Sequence, residues 1–247
     1  MEGRVRNYLN EKMVKSQIIN ILGGGWITAS GYGTLSEKQR FKLTAGDPQI
    51  PKANEVFVTP LSRYGRFDKY TKIGCAAIAL ALRDAAIDKA ETKRPVGVIV
   101  STVYECFESD LAYYETSLED DGFLSSPNLF SYTLPGIVIG ETAIHFKLTG
   151  PTFTVGDTIQ QKGFNALLSG MDMITSGACD TIVAGWLDGP NERLSNFIST
   201  DDHQRGAIFI VLSKLPQNKN NGKLFLDNGR LIFSTGLEVK SILDLLV

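Results

Sequence analysis

Long apolar runs, clustered cysteines, histidines and an excess of either charge are all scarce in this sequence, and each shortage removes a class of protein. No apolar stretch reaches the ~18 to 20 residues that a bilayer-spanning helix needs, and Met1–Gln17 is too polar to serve as a secretory leader, so no membrane span and a cytoplasmic location are expected. Three cysteines, Cys75, Cys106 and Cys179, stand far apart in no metal-ligand spacing, which argues for free thiols and against both a disulfide framework and a metal site. With 25 basic and 27 acidic residues the formal net charge is −2, and Lys and Arg form no extended cluster, which excludes a nucleic-acid surface. The only histidines are His145 and His203.

What is present is a chain of 247 residues, 43% hydrophobic and 21% charged, the composition of a globular domain with one sizeable core. A charged extension over residues 1–16 is expected to precede one domain over residues 17–247. Ile18–Ile21 reads as a strand that ends in a tight turn at Gly23-Gly24-Gly25, whose spacing does not fit a phosphate-binding loop. The apolar positions Ile73, Ala76, Ala77, Leu80 and Ala81 repeat with helical spacing and predict a long helix between Tyr70 and Lys89. Val96–Ser101 and Thr181–Gly185 are short, continuous apolar runs of the kind buried on both faces of a sheet.

Thr152–Val155 and Ala207–Leu212 add two more strands, and Leu224–Leu226 with Leu231–Phe233 complete the set. Helices are expected at 107–119, at 137–146, over 158–176 with Gly177 as its C-cap, and briefly after Leu237. The alternation of strands and helices implies an α/β fold with a mixed, mostly parallel sheet and helices on both faces.

Six phrases in order resemble the β-ketoacyl synthase family of the thiolase superfamily. They are the Gly-rich opening strand, the Ala-rich helix, Val96–Ser101, Pro135–Phe146, Leu148-Thr149-Gly150-Pro151-Thr152 and Cys179–Trp186. The resemblance covers nearly the whole chain and implies an αβα layered half of the thiolase-like fold, the N-terminal one. In condensing members a cysteine opens the helix after the Gly-Pro strand, where the helix N-terminus lowers the thiol pKa. The matching stretch here is Gly156–Gly163, and it holds no cysteine. Counting back from Gly163 places the nucleophile-equivalent position on Gln160; counting forward from Gly150 places it on Ile159. The two histidine motifs that complete the family's catalytic set are absent as well.

A glutamine at this position is what chain-length-factor subunits of type II polyketide synthases carry, since an amide donates a hydrogen bond but forms no thioester. The resemblance therefore implies a non-catalytic subunit, needing no cofactor, that pairs with a full-length ketosynthase and shapes its acyl tunnel in fatty-acid or polyketide/polyene-type biosynthesis. It would meet acyl carrier protein through that partner. The alternative is a homodimeric acyl- or carrier-protein-binding module without condensing activity, and a malonyl decarboxylase using Gln160 is a third reading.

Leu134, Pro135, Ile137, Val138 and Ile139 resemble the loop that reaches the partner's tunnel, although a buried loop-to-helix junction also explains them. Phe153, Thr154 and Val155 resemble the strand that pairs across the family's two-fold axis. Within 158–176, Phe164, Leu167, Leu168, Met171 and Ile174 form an apolar face opposite a polar stripe of Asn165, Ser169, Asp172 and Ser176, as expected if this helix meets water where a second half of the fold would otherwise cover it. Cys106 reads as an inert small apolar residue.

Overall fold

The structure is a computed structural model that describes residues 18–37, 41–89, 91–118, 120–189, 193, 204–216 and 221–246; the expected extension over residues 1–16 and His203 lie outside these. Its centre is an eight-stranded sheet in the order β4-β3-β5-β6-β1-β7-β8, with β2 also paired to β1. In sequence these strands are β1 (Ile19–Thr28), β2 (Gly31–Thr34), β3 (Val96–Thr102), β4 (Thr152–Gly156), β5 (Thr181–Asp188), β6 (Gly206–Ser213), β7 (Lys223–Asp227) and β8 (Arg230–Phe233). The four main helices are α1 (Lys69–Asp84), α2 (Phe107–Ser117), α3 (Ile137–Phe146) and α4 (Phe164–Thr175). The sheet is mixed with helices on both faces, as expected, but it is mostly antiparallel where a mostly parallel one was expected, because an apolar run buried on both faces reads alike in either pairing. Its parallel part is confined to β4-β3-β5, whose strands are joined by helix-bearing crossovers, and the other five pairings are antiparallel.

Alternation along the strands sorts their side chains into two cores. Val98, Val100, Val183, Ala207, Phe209 and Val211 face α1 and α3. Ile99, Ile182, Ala184, Trp186, Ile208, Ile210 and Leu212 face α4 and the C-terminal segment that carries Val239, Ile242 and Leu245. Because both faces are covered, β3 and β6 are buried along their whole length, which is why they read in sequence as uninterrupted apolar runs.

Gly23-Gly24-Gly25 is not a turn: β1 continues through it to Thr28. A Cβ on Gly25 would lie 2.5 Å from the Ala77 carbonyl oxygen and the Ala81 amide nitrogen of α1. Glycine is therefore required by close approach of a small-residue helix to the strand, not by turn conformation. α1 itself starts on Asp68, whose side chain accepts from the Thr71 amide at 2.8 Å, and it stops at Asp84, shortly before Ala86 takes a positive φ of 56°. The Asp84 carboxylate accepts from the Gly24 amide at 2.9 Å and so ties the end of α1 to β1.

Candidate functional site

The carboxyl ends of β3, β4 and β5 meet the N-terminus of α4. The expected helix over 158–176 is divided there: Ile159–Gln161 form a single 3-10 turn, and the α-helix starts only at Phe164, after Gly163 in the left-handed region at φ 77°. A Cβ at Gly163 would lie 2.5 Å from that of Ile242, so the helix entry is packed against the C-terminal segment. Gln160 is exposed and Ile159 half-buried, four and five residues ahead of the first α-helical residue.

Two of the amides at the start of α4 are already taken. Asp157 Oδ2 accepts from the Gly163 amide at 2.5 Å and Oδ1 from the Asn165 amide at 3.2 Å. The Asn165 side chain donates back to the Gly156 carbonyl at 2.7 Å. A carboxylate held by the first amides of a helix is favoured by the helix dipole and fills the place an incoming anion would use. Burial raises the Asp157 pKa, against the pull of the Ser101 hydroxyl, these amides and Lys162.

Lys162 is 4% exposed; its Nζ donates to the Ile159 carbonyl at 2.6 Å and lies 5.8 Å from the centre of the Trp186 ring. The Lys162 carbonyl accepts from the Ile242 amide at 2.8 Å and the Ser241 hydroxyl at 2.9 Å. The segment before α4 is thus pinned from two sides.

Asp188, fully buried at the end of β5, is a second polar centre, and its identity was not anticipated from sequence. Its carboxylate accepts from the Thr102 hydroxyl at 2.7 Å, the Val103 amide at 3.0 Å, the Tyr104 amide at 2.8 Å and the Trp186 indole at 2.5 Å. Burial raises its pKa to about 6, and those hydrogen bonds work the other way. By gathering these donors it fixes the turn from β3 into α2. A carboxylate ending an otherwise apolar strand was the available signal.

No activated nucleophile emerges among the described residues. Burial pushes the Cys106 thiol up to about 12, and it also raises Cys75 and Cys179, so all three are protonated at neutral pH. His145 is packed edge-on against Phe57 and Phe146, and burial lowers its pKa. No group of acidic, histidine or cysteine side chains among the described residues is arranged to hold a metal ion, and no described helix is long and apolar enough to cross a membrane.

The loop residues divide. Leu134 is 67% exposed, Pro135 and Ile137 are half-buried, and Val138 and Ile139 are buried at the start of α3. Phe153, Thr154 and Val155 lie on β4, which ends the sheet and pairs only with β3 among the described strands. On α4, Ala166, Leu167, Met171 and Ile174 are buried, Phe164 and Leu168 are half-buried, and Asp172 and Ser176 face solvent.

The family described as β-ketoacyl synthase, N-terminal domain, matches residues 47–194, well over half of the chain. The chain is 28% identical over 131 residues to the tetracenomycin polyketide synthase ketoacyl synthase alpha subunit of Streptomyces glaucescens, covering 50% of this chain and 30% of that protein. Among solved structures it is similar to the ishigamide ketosynthase/chain length factor (TM-score 0.66, 18% identity, 85% of this chain and 62% of that one). It is also similar to a ketosynthase in complex with its chain length factor from Xenorhabdus doucetiae (TM-score 0.59, 13% identity, 79% of this chain and 78% of that one). At these identities the structural likeness speaks for the fold. The chain spans less than a third of the curated relative and under two thirds of the first of these structures.

Proposed function

Because the chain belongs to the β-ketoacyl synthase family through that family's N-terminal domain, we propose that it acts as a non-catalytic, chain-length-factor-like subunit that pairs with a full-length ketosynthase and shapes its acyl tunnel. The observation that carries this reading is the closed N-terminus of α4. Where condensing relatives present a thiolate, Asp157 occupies the Gly163 and Asn165 amides, Gln160 is exposed to solvent, and every cysteine is held protonated. Such a site presents no thiolate to form a thioester, and a carboxylate stands at the helix entry where an oxyanion would be bound. The condensation chemistry belongs to the partner.

Two exposed features support pairing. The outer edge of β4, bearing Phe153, Thr154 and Val155, has main-chain groups available for strand addition. Exposed Leu134 stands in the loop before α3 and half-buried Ile137 opens that helix, both placed to reach a neighbour. The pathway is fatty-acid or polyketide/polyene-type acyl extension, with acyl carrier protein met through the partner.

The reading is tested by enlarging the loop tip. Leu134→Trp or Ile137→Trp, assayed with a full-length ketosynthase from the same genome, is expected to shorten the acyl product while leaving the pair intact. An unchanged product distribution from an intact pair contradicts the tunnel-shaping role.

A further inference from the structure

Asparagine followed by glycine is a labile pair, because no side chain on the second residue keeps its amide nitrogen from attacking the asparagine side chain. The sequence holds two such pairs, Asn221-Gly222 and Asn228-Gly229. Each is followed by a basic residue, Lys223 or Arg230, so their local chemistry is alike and a difference in reactivity has to come from the fold.

Asn228 and Gly229 make up the whole turn between β7 and β8. Asp227 pairs with Arg230, and φ is 51° at Asn228 and 78° at Gly229, as a type I′ turn requires. Both residues are exposed, and among the described residues none accepts from the Gly229 amide or from the Asn228 side chain. A Cβ placed on Gly229 would meet nothing within 4 Å, so there is room for a ring to close.

Asn221 is held instead. It is half-buried, and its Nδ2 donates to the Leu22 carbonyl at 2.9 Å. The Gly222 carbonyl accepts from the Ile21 amide at 3.0 Å, and a Cβ on Gly222 would run into the Phe233 ring. For attack at this pair the Asn221 side chain must leave Leu22 and swing onto a nitrogen packed beside that ring.

We propose that Asn228 is a modification site that converts to isoaspartate and aspartate without an enzyme, that the fold withholds Asn221 from the same reaction, and that the isoaspartyl form is a substrate for carboxyl methyltransferases. The Gly229 nitrogen bonds to Asn228 Cγ, the Cγ–Nδ2 bond breaks, and ammonia leaves with the proton that the Gly229 nitrogen gives up. Water then opens the succinimide. Opening at the side-chain carbonyl gives aspartate; opening at the main-chain carbonyl gives isoaspartate, whose main chain is longer by a methylene. Either product places a new negative charge beside Asp227. The longer main chain also departs from the two-residue geometry that sets the register of β7 against β8, where Leu231 is fully buried.

The test incubates the purified full chain at physiological temperature, at neutral and at mildly alkaline pH, and with and without urea. Cleavage after Lys219, Lys223 and Arg230 puts the two pairs on separate peptides for mass spectrometry. Isoaspartate is counted by enzymatic methyl transfer from S-adenosylmethionine.

In the folded chain, residue 228 is expected to exchange its side-chain amino group for a hydroxyl at least about fivefold faster than residue 221, the factor that one retained hydrogen bond imposes. The reaction should quicken with pH, since the attacking nitrogen loses a proton, and in urea the two rates should converge. Asn228→Gly keeps the turn, because Gly-Gly suits type I′, and should abolish methyl acceptance by this peptide. Equal rates in the folded chain, a faster residue 221 or an unreactive Asn228 would overturn the proposal. A difference that persists in urea would come from local sequence and overturn the part assigned to the fold.

Discussion

Asp188→Asn should change how stability depends on pH more than it changes stability at any single pH. The carboxylate sits among donors only: the Thr102 hydroxyl, the Val103 and Tyr104 amides and the Trp186 indole. The Thr102 oxygen is itself engaged by the Glu105 amide at 2.7 Å, so an asparagine amide group meets donors where the carboxylate accepted and costs about 1 to 3 kcal/mol. Burial has an opposing effect on the charge, raising the pKa from 3.8 to about 6.

The folded protein therefore keeps a proton on Asp188 at pH values where the unfolded chain has lost it. Stability from this group is greatest below about pH 4, falls as pH rises to about 6 and is level above. Two pKa units correspond to about 3 kcal/mol. Asparagine has no such slope. In urea unfolding from pH 4 to pH 7, the variant should be less stable by about 1 to 3 kcal/mol at pH 4, and the gap should close by about 3 kcal/mol by pH 7. Other titrating carboxylates, Asp157 and Asp110 among them, contribute to both proteins and cancel in the difference. Curves that stay parallel across this window would refute the argument.

Three further outcomes follow from the same geometry. Gly25→Ala drives a methyl group into the backbone of α1 and should destabilise by at least about 2 kcal/mol in denaturant unfolding, whereas alanine at the unobstructed Gly136 should cost far less. Asp157→Ala removes the acceptor shared by the Gly163 and Asn165 amides and should cost about 1 to 2 kcal/mol, with faster amide exchange in the first turn of α4. Gln160→Cys should yield a thiol that reacts with alkylating reagents but supports no condensation by this chain, because position 160 lies outside the α-helix; measurable condensation would show that the closed site is not closed.

Much of the fold was legible because its strands are buried on both faces. Val96–Ser101, Thr181–Gly185 and Ala207–Leu212 announced themselves as apolar runs, and each lies within an observed strand. The direction of β6 was hidden, since an apolar run has the same pattern in parallel and antiparallel pairing. Gly23–Gly25 misled for a related reason: close helix approach and turn formation both demand glycine, and only the position of α1 separates them.

The candidate site was less legible. Periodicity carried the helix back to residue 158, but the chain there is bent by Gly163 and held by Asp157, six residues upstream of the amide it binds. A cap of that span leaves no local spacing signature. Asp188 depends likewise on donors from residues 102–104, more than eighty positions away.

The most direct test of the central claim is to express this chain and a full-length ketosynthase from the same genome separately and together, measure the mass of each species in solution, and assay condensation. The account predicts a one-to-one heterodimer, no condensation by this chain alone, and full activity only in the pair. A ketosynthase that is fully active by itself and does not associate with this chain would contradict it.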